Sequence, residues 1–190
     1  MSKVLVIVGH ARTATYCDAL GEAYAKGARA GGHDVTYVRT AELTFDPVLR
    51  GAYAELQPLE PDLAAAHDAL LAADHIVIIF PLWLGTMPAI LKGFLERVLQ
   101  PEIFDAAREG RFQKPLKGKS ARIITTMGMP GFVYRWWFGT HALKVLEHNI
   151  LRFVGAAPVR TTIHGSIESV SDDKRKSWLA DAEAMGRDAR

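Results

Sequence analysis

Three stretches of this chain carry residue types suited to holding a ligand. The first is Gly9-His10-Ala11-Arg12-Thr13-Ala14-Thr15, with one glycine, two hydroxyls and two basic groups ahead of a helix-forming run that begins at Tyr16. A loop entering a helix offers backbone N–H groups and the positive end of the helix dipole to an anion. Thr13 and Thr15 add hydroxyl donors, and Arg12 or His10 adds positive charge. The loop contains neither G-x-G-x-x-G nor Gly-Lys-Ser/Thr, so it suits a monophosphate or a cofactor pyrophosphate better than the dinucleotide grip of a Rossmann domain. The plainer alternative is that Thr13 or Thr15 simply caps the helix and His10 is a hydrogen-bonded loop residue.

The second stretch, Pro81-Leu82-Trp83-Leu84-Gly85-Thr86-Met87-Pro88, is apolar although it lies between a strand-like and a helix-like run. Connections normally run over the surface, so apolar residues there either wall a flat ligand or cover the sheet end. The third has Gly128 and Gly131 around Met129-Pro130, then Phe132, Tyr134, Trp136, Trp137 and Phe138. Glycine lets the backbone approach a ring closely. The aromatics form a stacking wall, an oligomer interface rich in anchors, or the buried start of a helix. Other chemistries find no motif: there is no H-E-x-x-H and no G-x-S-x-G, and His141, Glu147 and His148 make no metal-ligand spacing.

The elements that position these stretches are legible from hydrophobic period. Val4–Val8, His75–Phe80, Ala121–Thr126 and Pro158–His164 are short apolar or β-branched runs that read as strands, as does Asp34–Val38. Between them, Tyr16–Ala30, Pro61–Ala73, Pro88–Leu99 and Thr140–Phe153 read as helices, and Ser171 caps a last one. Alternation of this kind predicts an α/β domain with a parallel sheet and helices on both faces, and in such sheets ligands collect at the carboxyl ends of the strands. All three stretches fall at such ends. Arg39–Leu59 and Gln100–Lys119 are too long for plain connections. The first is equally a functional loop or a surface excursion. The second is expected to be functional, because Phe104 and Phe112 would otherwise be exposed.

With 190 residues, 23 basic and 21 acidic side chains, the chain is expected to be one domain without the dense basic stripe of a nucleic-acid binder. Its single cysteine, Cys17, excludes an internal disulfide or a cysteine-based zinc cluster. The opening apolar run is too brief for a signal peptide's core, which makes the cytoplasm the expected compartment.

Phe80-Pro81-Leu82-Trp83, then Met87-Pro88-Ala89-Ile90-Leu91-Lys92-Gly93-Phe94 and Glu96-Arg97-Val98, resembles the NAD(P)H:quinone oxidoreductase family of flavodoxin-like flavoproteins. The opening strand with its loop, Lys117-Gly118-Lys119 and the Thr125-Thr126-x-Gly turn agree, and the likeness runs over roughly residues 3–165. The resemblance implies a five-stranded sheet in the order 2-1-3-4-5, non-covalent FMN or FAD, and a homodimer with its active site at the interface. It implies hydride transfer from NAD(P)H to the flavin and then to a quinone or similar small acceptor, by a ping-pong route. On the same footing, His10, Thr15, Tyr16 and Cys17, with Thr13 beside them, fall on the phosphate-side loop. Pro81, Leu82, Trp83 and Leu84 fall on the loop along the isoalloxazine, and Thr126, Gly128 and Met129 face it. Tyr134 and His141 stand for a catalytic pair near the flavin's pyrimidine edge. Against the family's pattern, Cys17 replaces a usually polar residue and weakens one phosphate contact, while Leu84 and Gly85 replace bulky aromatics and widen the pocket.

Other readings predict different behaviour. Relatives of this family accompany bacterial potassium-efflux systems, so the chain is alternatively a flavin-binding regulatory subunit that docks a membrane transporter through Arg111–Lys119. A one-electron flavodoxin carrier would accumulate a flavin radical. A Rossmann dehydrogenase is disfavoured by the missing glycine fingerprint and by Arg39, which stands where an acid would follow strand 2.

Overall fold

The structure is a computed structural model that describes residues 1–52, 54–108, 110 and 114–189, with the backbone alone at 105–108. Five parallel strands, β1 (Lys3–Val8), β2 (Asp34–Arg39), β3 (His75–Pro81), β4 (Ser120–Thr126) and β5 (Val159–His164), lie in the order β2-β1-β3-β4-β5. The central strand β3 is buried at every position, which is why its sequence is continuously apolar rather than alternating.

Helices cover both faces: α1 (Tyr16–Ala30), α2 (Pro61–Ala72), α3 (Ala89–Arg108), α4 (Gly131–Trp136), α5 (His141–Lys144) and α6 (Asp172–Arg187). Strand side chains alternate between two cores. Leu5, Ile7, Ile76, Ile78, Phe80 and Ile123 pack with α2, α3 and the segment after α5. Val4, Val6, Val8, Val77, Ile79 and Ile124 pack with α1 and α6. The two helices of the second layer touch backbone to backbone: a Cβ at Gly27 would stand 1.8 Å from Glu183 O, and one at Gly186 would stand 2.1 Å from Tyr24 O. Only glycine permits that approach.

Two expectations are corrected. Gln100–Arg108 is not part of a long loop; it continues α3 through Pro101. Tertiary contacts outweigh the missing N–H: Phe104 is buried, and Gln100 Nε2 donates to Ala52 O (3.3 Å) and Glu55 O (3.1 Å). The argument from an exposed Phe104 therefore falls, while Phe112 and Arg111 lie outside the described residues. Thr140–Phe153 is not one α-helix, since α5 widens into a π-helical stretch at Val145–Arg152. Residues 40–52 and 54–60 form a strap held on α3 by Arg97, whose fully buried guanidinium donates to Asp46 O, Pro58 O (2.8 Å) and Glu60 Oε2 (2.8 Å).

Two histidines are buried within the sheet. His75 meets the Tyr24 hydroxyl (2.9 Å) and Ser120 Oγ (2.7 Å), and His164 packs against the Trp178 ring. Burial, aided by the Arg122 charge, pushes His75 down to about 4; burial does the same for His164. In the unfolded chain both return toward about 6.5 and take up protons that the folded protein refuses. Their contribution is complete above about pH 6.5 and is lost as pH falls toward 4, on the order of 3 kcal/mol for each. Urea melts at pH 7.5, 6, 5 and 4.5 should show this decline, and His164→Gln should flatten it. Arg97→Met should lose about 2–3 kcal/mol, because Glu60 and two carbonyls lose their donor, and should speed proteolysis within residues 40–60.

Candidate functional site

The strand order reverses between β1 and β3, and the crevice of a parallel sheet opens at such a point. The three stretches meet there. Gly9 N–H donates to Ile79 O (2.8 Å), joining the first loop to β3. Leu82 N–H donates to Thr126 O (2.7 Å), joining the second to β4. Cys17 Sγ lies 3.5 Å from Thr126 Oγ1, joining the start of α1 to the third.

On the first loop, His10 is buried, and its Nδ1 accepts from Arg12 N–H (2.9 Å). A neutral ring in this setting carries its proton on Nε2. Burial, and then the Arg12 charge, lower its pKa and favour that neutral form. The imidazole meets the Trp83 indole edge-on, with centroids 5.0 Å apart. Thr13 is exposed, and Ala14 takes a left-handed conformation (φ 56°) that turns the chain into α1.

Thr15 is the helix cap, so the plainer alternative holds for it. Its N–H (2.9 Å) and hydroxyl (2.7 Å) both donate to Asp18 Oδ2, and Asp18 N–H donates back to Thr15 Oγ1 (3.3 Å). Asp18 is buried, and its second oxygen accepts from Arg39 Nε (3.1 Å). Arg39 is shared with Glu22 (2.8 Å) and Glu42 (3.6 Å) and lies over the Tyr37 ring. Tyr16 turns away from the loop: its hydroxyl donates to Arg175 O (2.8 Å) on α6, and burial raises its pKa to about 12. The Cys17 thiol is pushed up to about 11 by burial and stays neutral.

The second stretch forms a tight hairpin tip. Trp83 and Thr86 exchange backbone hydrogen bonds (2.9 and 3.0 Å), and Leu84 (φ 46°) and Gly85 (φ 78°) both lie in the left-handed region. That is a type I′ turn, and leucine at its first corner is held against its own preference. Pro81 is buried at the end of β3 and Leu82 is half-buried, but Trp83 is 44% exposed and Leu84 fully so. Leu84 therefore covers nothing in the chain itself.

On the third stretch, Thr126 is buried, Met129 is half-buried, and a Cβ at Gly128 would meet no atom within 4 Å, so there is open space beside that backbone. Met129 O accepts from Ser166 N–H (2.9 Å), which pins the loop to the segment after β5. Residues 131–136 then form α4. Phe132 (69%), Trp136 (85%), Trp137 (84%) and Phe138 (47%) are exposed. Tyr134 instead enters the core, where its hydroxyl faces the amides of Ala142 and Leu143 without a partner in hydrogen-bonding geometry, and burial raises its pKa. His141 is exposed at the start of α5. No hydrogen bond or ring contact joins Tyr134 to His141 among the described residues.

Sequence reasoning missed Asp18 and gave Arg39 no part at this end. Asp18 carried a signal, because an acid three residues after Thr15 is the spacing of a capping box. The Arg39 pairing had none, since it joins positions 21 residues apart through adjacent elements. Among the described residues no cluster of His, Cys, Asp and Glu could hold a metal, and no helix is long and apolar enough to cross a membrane.

A family model described as flavodoxin-like fold matches residues 2–186. An NAD(P)H oxidoreductase of Haemophilus influenzae, described as uncharacterized, is 29% identical over 154 residues, covering 78% of this chain and 75% of that protein. The FMN-dependent NADH:quinone oxidoreductase of Shewanella amazonensis is 29% identical over 166 residues, covering 81% of each. Among solved structures, the NAD(P)H:quinone oxidoreductase from Methanothermobacter marburgensis shares the fold, with a TM-score of 0.81, 23% identity, and 98% of this chain and 96% of that one covered.

The burial of Cys17 sets its reactivity. At pH 8 the folded protein is expected to react with a chromogenic disulfide reagent at least ~100-fold more slowly than the urea-unfolded chain. Equal rates would place the thiol at the surface.

Proposed function

This chain belongs to the flavodoxin-like fold family, and we propose that it is a flavin-dependent NAD(P)H oxidoreductase. In this reading it passes two electrons to a quinone or similar small acceptor by a ping-pong route, as a cytoplasmic homodimer. The observation that carries the proposal is the meeting of three unlike loops at the carboxyl ends of β1, β3 and β4. One is hydroxyl-bearing, one displays apolar side chains, and one leaves open space beside a glycine. A flat, partly apolar cofactor with a phosphorylated tail needs those features side by side. The relatives reported above are named as oxidoreductases, and nothing favours the reading as a transporter's regulatory subunit.

The residues fit a flavin as follows. Trp83, Leu84 and the Leu82 backbone would wall one side of the ring, with Pro81 fixing where that wall begins. Thr126, Gly128 and Met129 would face it. His10, Thr13 and the amides of Tyr16 and Cys17 at the start of α1 would lie at the phosphate end. The flavin supplies the hydride chemistry when bound, while the protein orients it and excludes water. His10, neutral and donating only through Nε2, orients Trp83 and brings no fixed positive charge. Tyr134 and His141 are given no step, because one is buried and the other exposed. The cofactor is FMN or FAD, and the FMN dependence in the name of the Shewanella relative favours FMN. The exposed Phe132, Trp136, Trp137 and Phe138 suit the two-fold interface, where they would also border the acceptor.

An absorbance titration tests this. After incubation with flavin the protein should show a shifted flavin spectrum. Under anaerobic NADH or NADPH it should bleach without a radical band, and it should recolour when menadione is added. Trp83→Ala should weaken flavin binding about tenfold with the fold intact. A protein that perturbs neither flavin's spectrum refutes the reading.

A further inference from the structure

The exposed aromatics of α4 are interleaved with positive charge that pairs with no acid among the described residues. Residues 127–146 carry Arg135 and Lys144 and contain no acidic side chain. Both cations are exposed, and neither forms an ion pair among the described residues. Arg135 directly precedes Trp136 and Trp137, the two most exposed rings of the group. Ser166 and Ile167 pin residues 165–170 to Met129 and Met127, and that segment adds one acid, Glu168. The hairpin at 81–88 adds no charge, so the three stretches together carry 2 − 1 = +1.

The backbone fixes the corner that presents them. Gly139 (φ 59°) and Thr140 (φ 55°) both lie in the left-handed region, where a β-branched threonine is held against its preference. Backbone bonds cross this corner, from Thr140 N–H to Tyr134 O (3.3 Å) and from His141 N–H to Phe138 O (3.4 Å). A Cβ at Gly139 would stand 3.0 Å from His141 Nε2, so the imidazole folds back against the turn. α4 and the start of α5 thus form one shelf that begins just after Pro130, where the third loop ends. A guanidinium beside indole rings suits a planar anion, because the ring can stack while the acid group pairs with the charge. Cations in a stretch without carboxylates also draw anions in from solution.

From this we infer that the acceptor is a planar aromatic bearing a negative charge, a quinone with a ring sulfonate or carboxylate, and that Arg135 selects it with Lys144 in support. The inference rests on the reading that α4 borders the acceptor, and it names the class of acceptor within that reading. Reduction takes an electron pair and one hydrogen from NAD(P)H and a second proton from solvent, giving NAD(P)+ and the quinol. The acid group takes no part in that exchange and serves as the handle. NAD(P)H is itself an anion and uses the same crevice in the other half of a ping-pong cycle. The two half-reactions therefore separate a cation that serves the acceptor from one that serves the dinucleotide.

Stopped-flow reoxidation of the flavin-loaded, NAD(P)H-reduced protein by a naphthoquinone sulfonate and by unsubstituted naphthoquinone tests this. Sulfonation also raises the quinone's potential, so the ratio of the two rate constants is compared between variants. Arg135→Gln should lower that ratio about fivefold and Lys144→Gln about twofold, while Arg135→Lys keeps most of it. The wild-type ratio should fall at least about threefold between about 20 and about 300 mM salt. Lys26→Gln, which removes an exposed charge toward the far end of α1, should leave the ratio unmoved. Calorimetric binding of naphthalene sulfonate to the oxidised protein should weaken in parallel in Arg135→Gln, a readout independent of turnover. A ratio unmoved by Arg135→Gln, an equal fall in Lys26→Gln, or a loss confined to reduction by NAD(P)H would each overturn the inference while the flavin reading stands. A flavin-loaded protein that reduces neither quinone overturns both.

Discussion

The β1–β3 and β3–β4 ladders hold the functional part of this protein together. Because both are parallel, every strand in them delivers its carboxyl end to the same edge, and because β3 is buried on both faces its register cannot slip without moving a core residue into the opposite layer. The loops after β1, β3 and β4 therefore leave the sheet side by side. Short backbone bonds from Gly9 to Ile79 and from Leu82 to Thr126 carry that alignment one residue beyond the strands. The site is thus an outcome of sheet pairing more than of the loops' own preferences. The left-handed Leu84 illustrates this: the bridge between Trp83 and Thr86 holds a residue that would not choose that corner alone.

Two ends of the site follow different physics. At the hairpin end, apolar side chains stand exposed where nothing in the chain needs them, and His10 steadies Trp83 through an edge-on ring contact. At the other end, the start of α1 is stabilised internally by Thr15 and Asp18, with Arg39 balancing the buried carboxylate. The paired layers α1 and α6 are tied to this second end, since the Tyr16 hydroxyl reaches Arg175 O and the Gly27 and Gly186 contacts bring the two helices together. A disturbance of α6 is therefore felt at the loop.

The strands, the bounds of α1, the Ser171 cap and the positions of the three loops were legible because each depends on local period or on a residue's own cap chemistry. The π-helical turn at Val145–Arg152 and the passage of α3 through Pro101 were not, because packing against other elements overrides local preference there. The strap's attachment through Arg97 was hidden for a related reason: a charged residue on a helix reads as solvent-facing until the carbonyls of a distant segment are known to surround it. Tyr134 shows the limit of motif transfer. The family resemblance paired it with His141 near the ligand, but α4 turns it into the core while its aromatic neighbours face outward.

The capping box exposes a conflict between stability and anion binding. An acid at the third position of a helix satisfies donors that would otherwise be orphaned and favours the helix through its dipole. The same donors and the same dipole are what a phosphate would use. A helix start cannot serve both at full strength, and in α1 the internal carboxylate is already seated, with the half-buried Arg39 holding its other oxygen. Whatever binds at this edge can therefore draw on the hairpin and on the open space beside Gly128, where apolar surface lies uncovered.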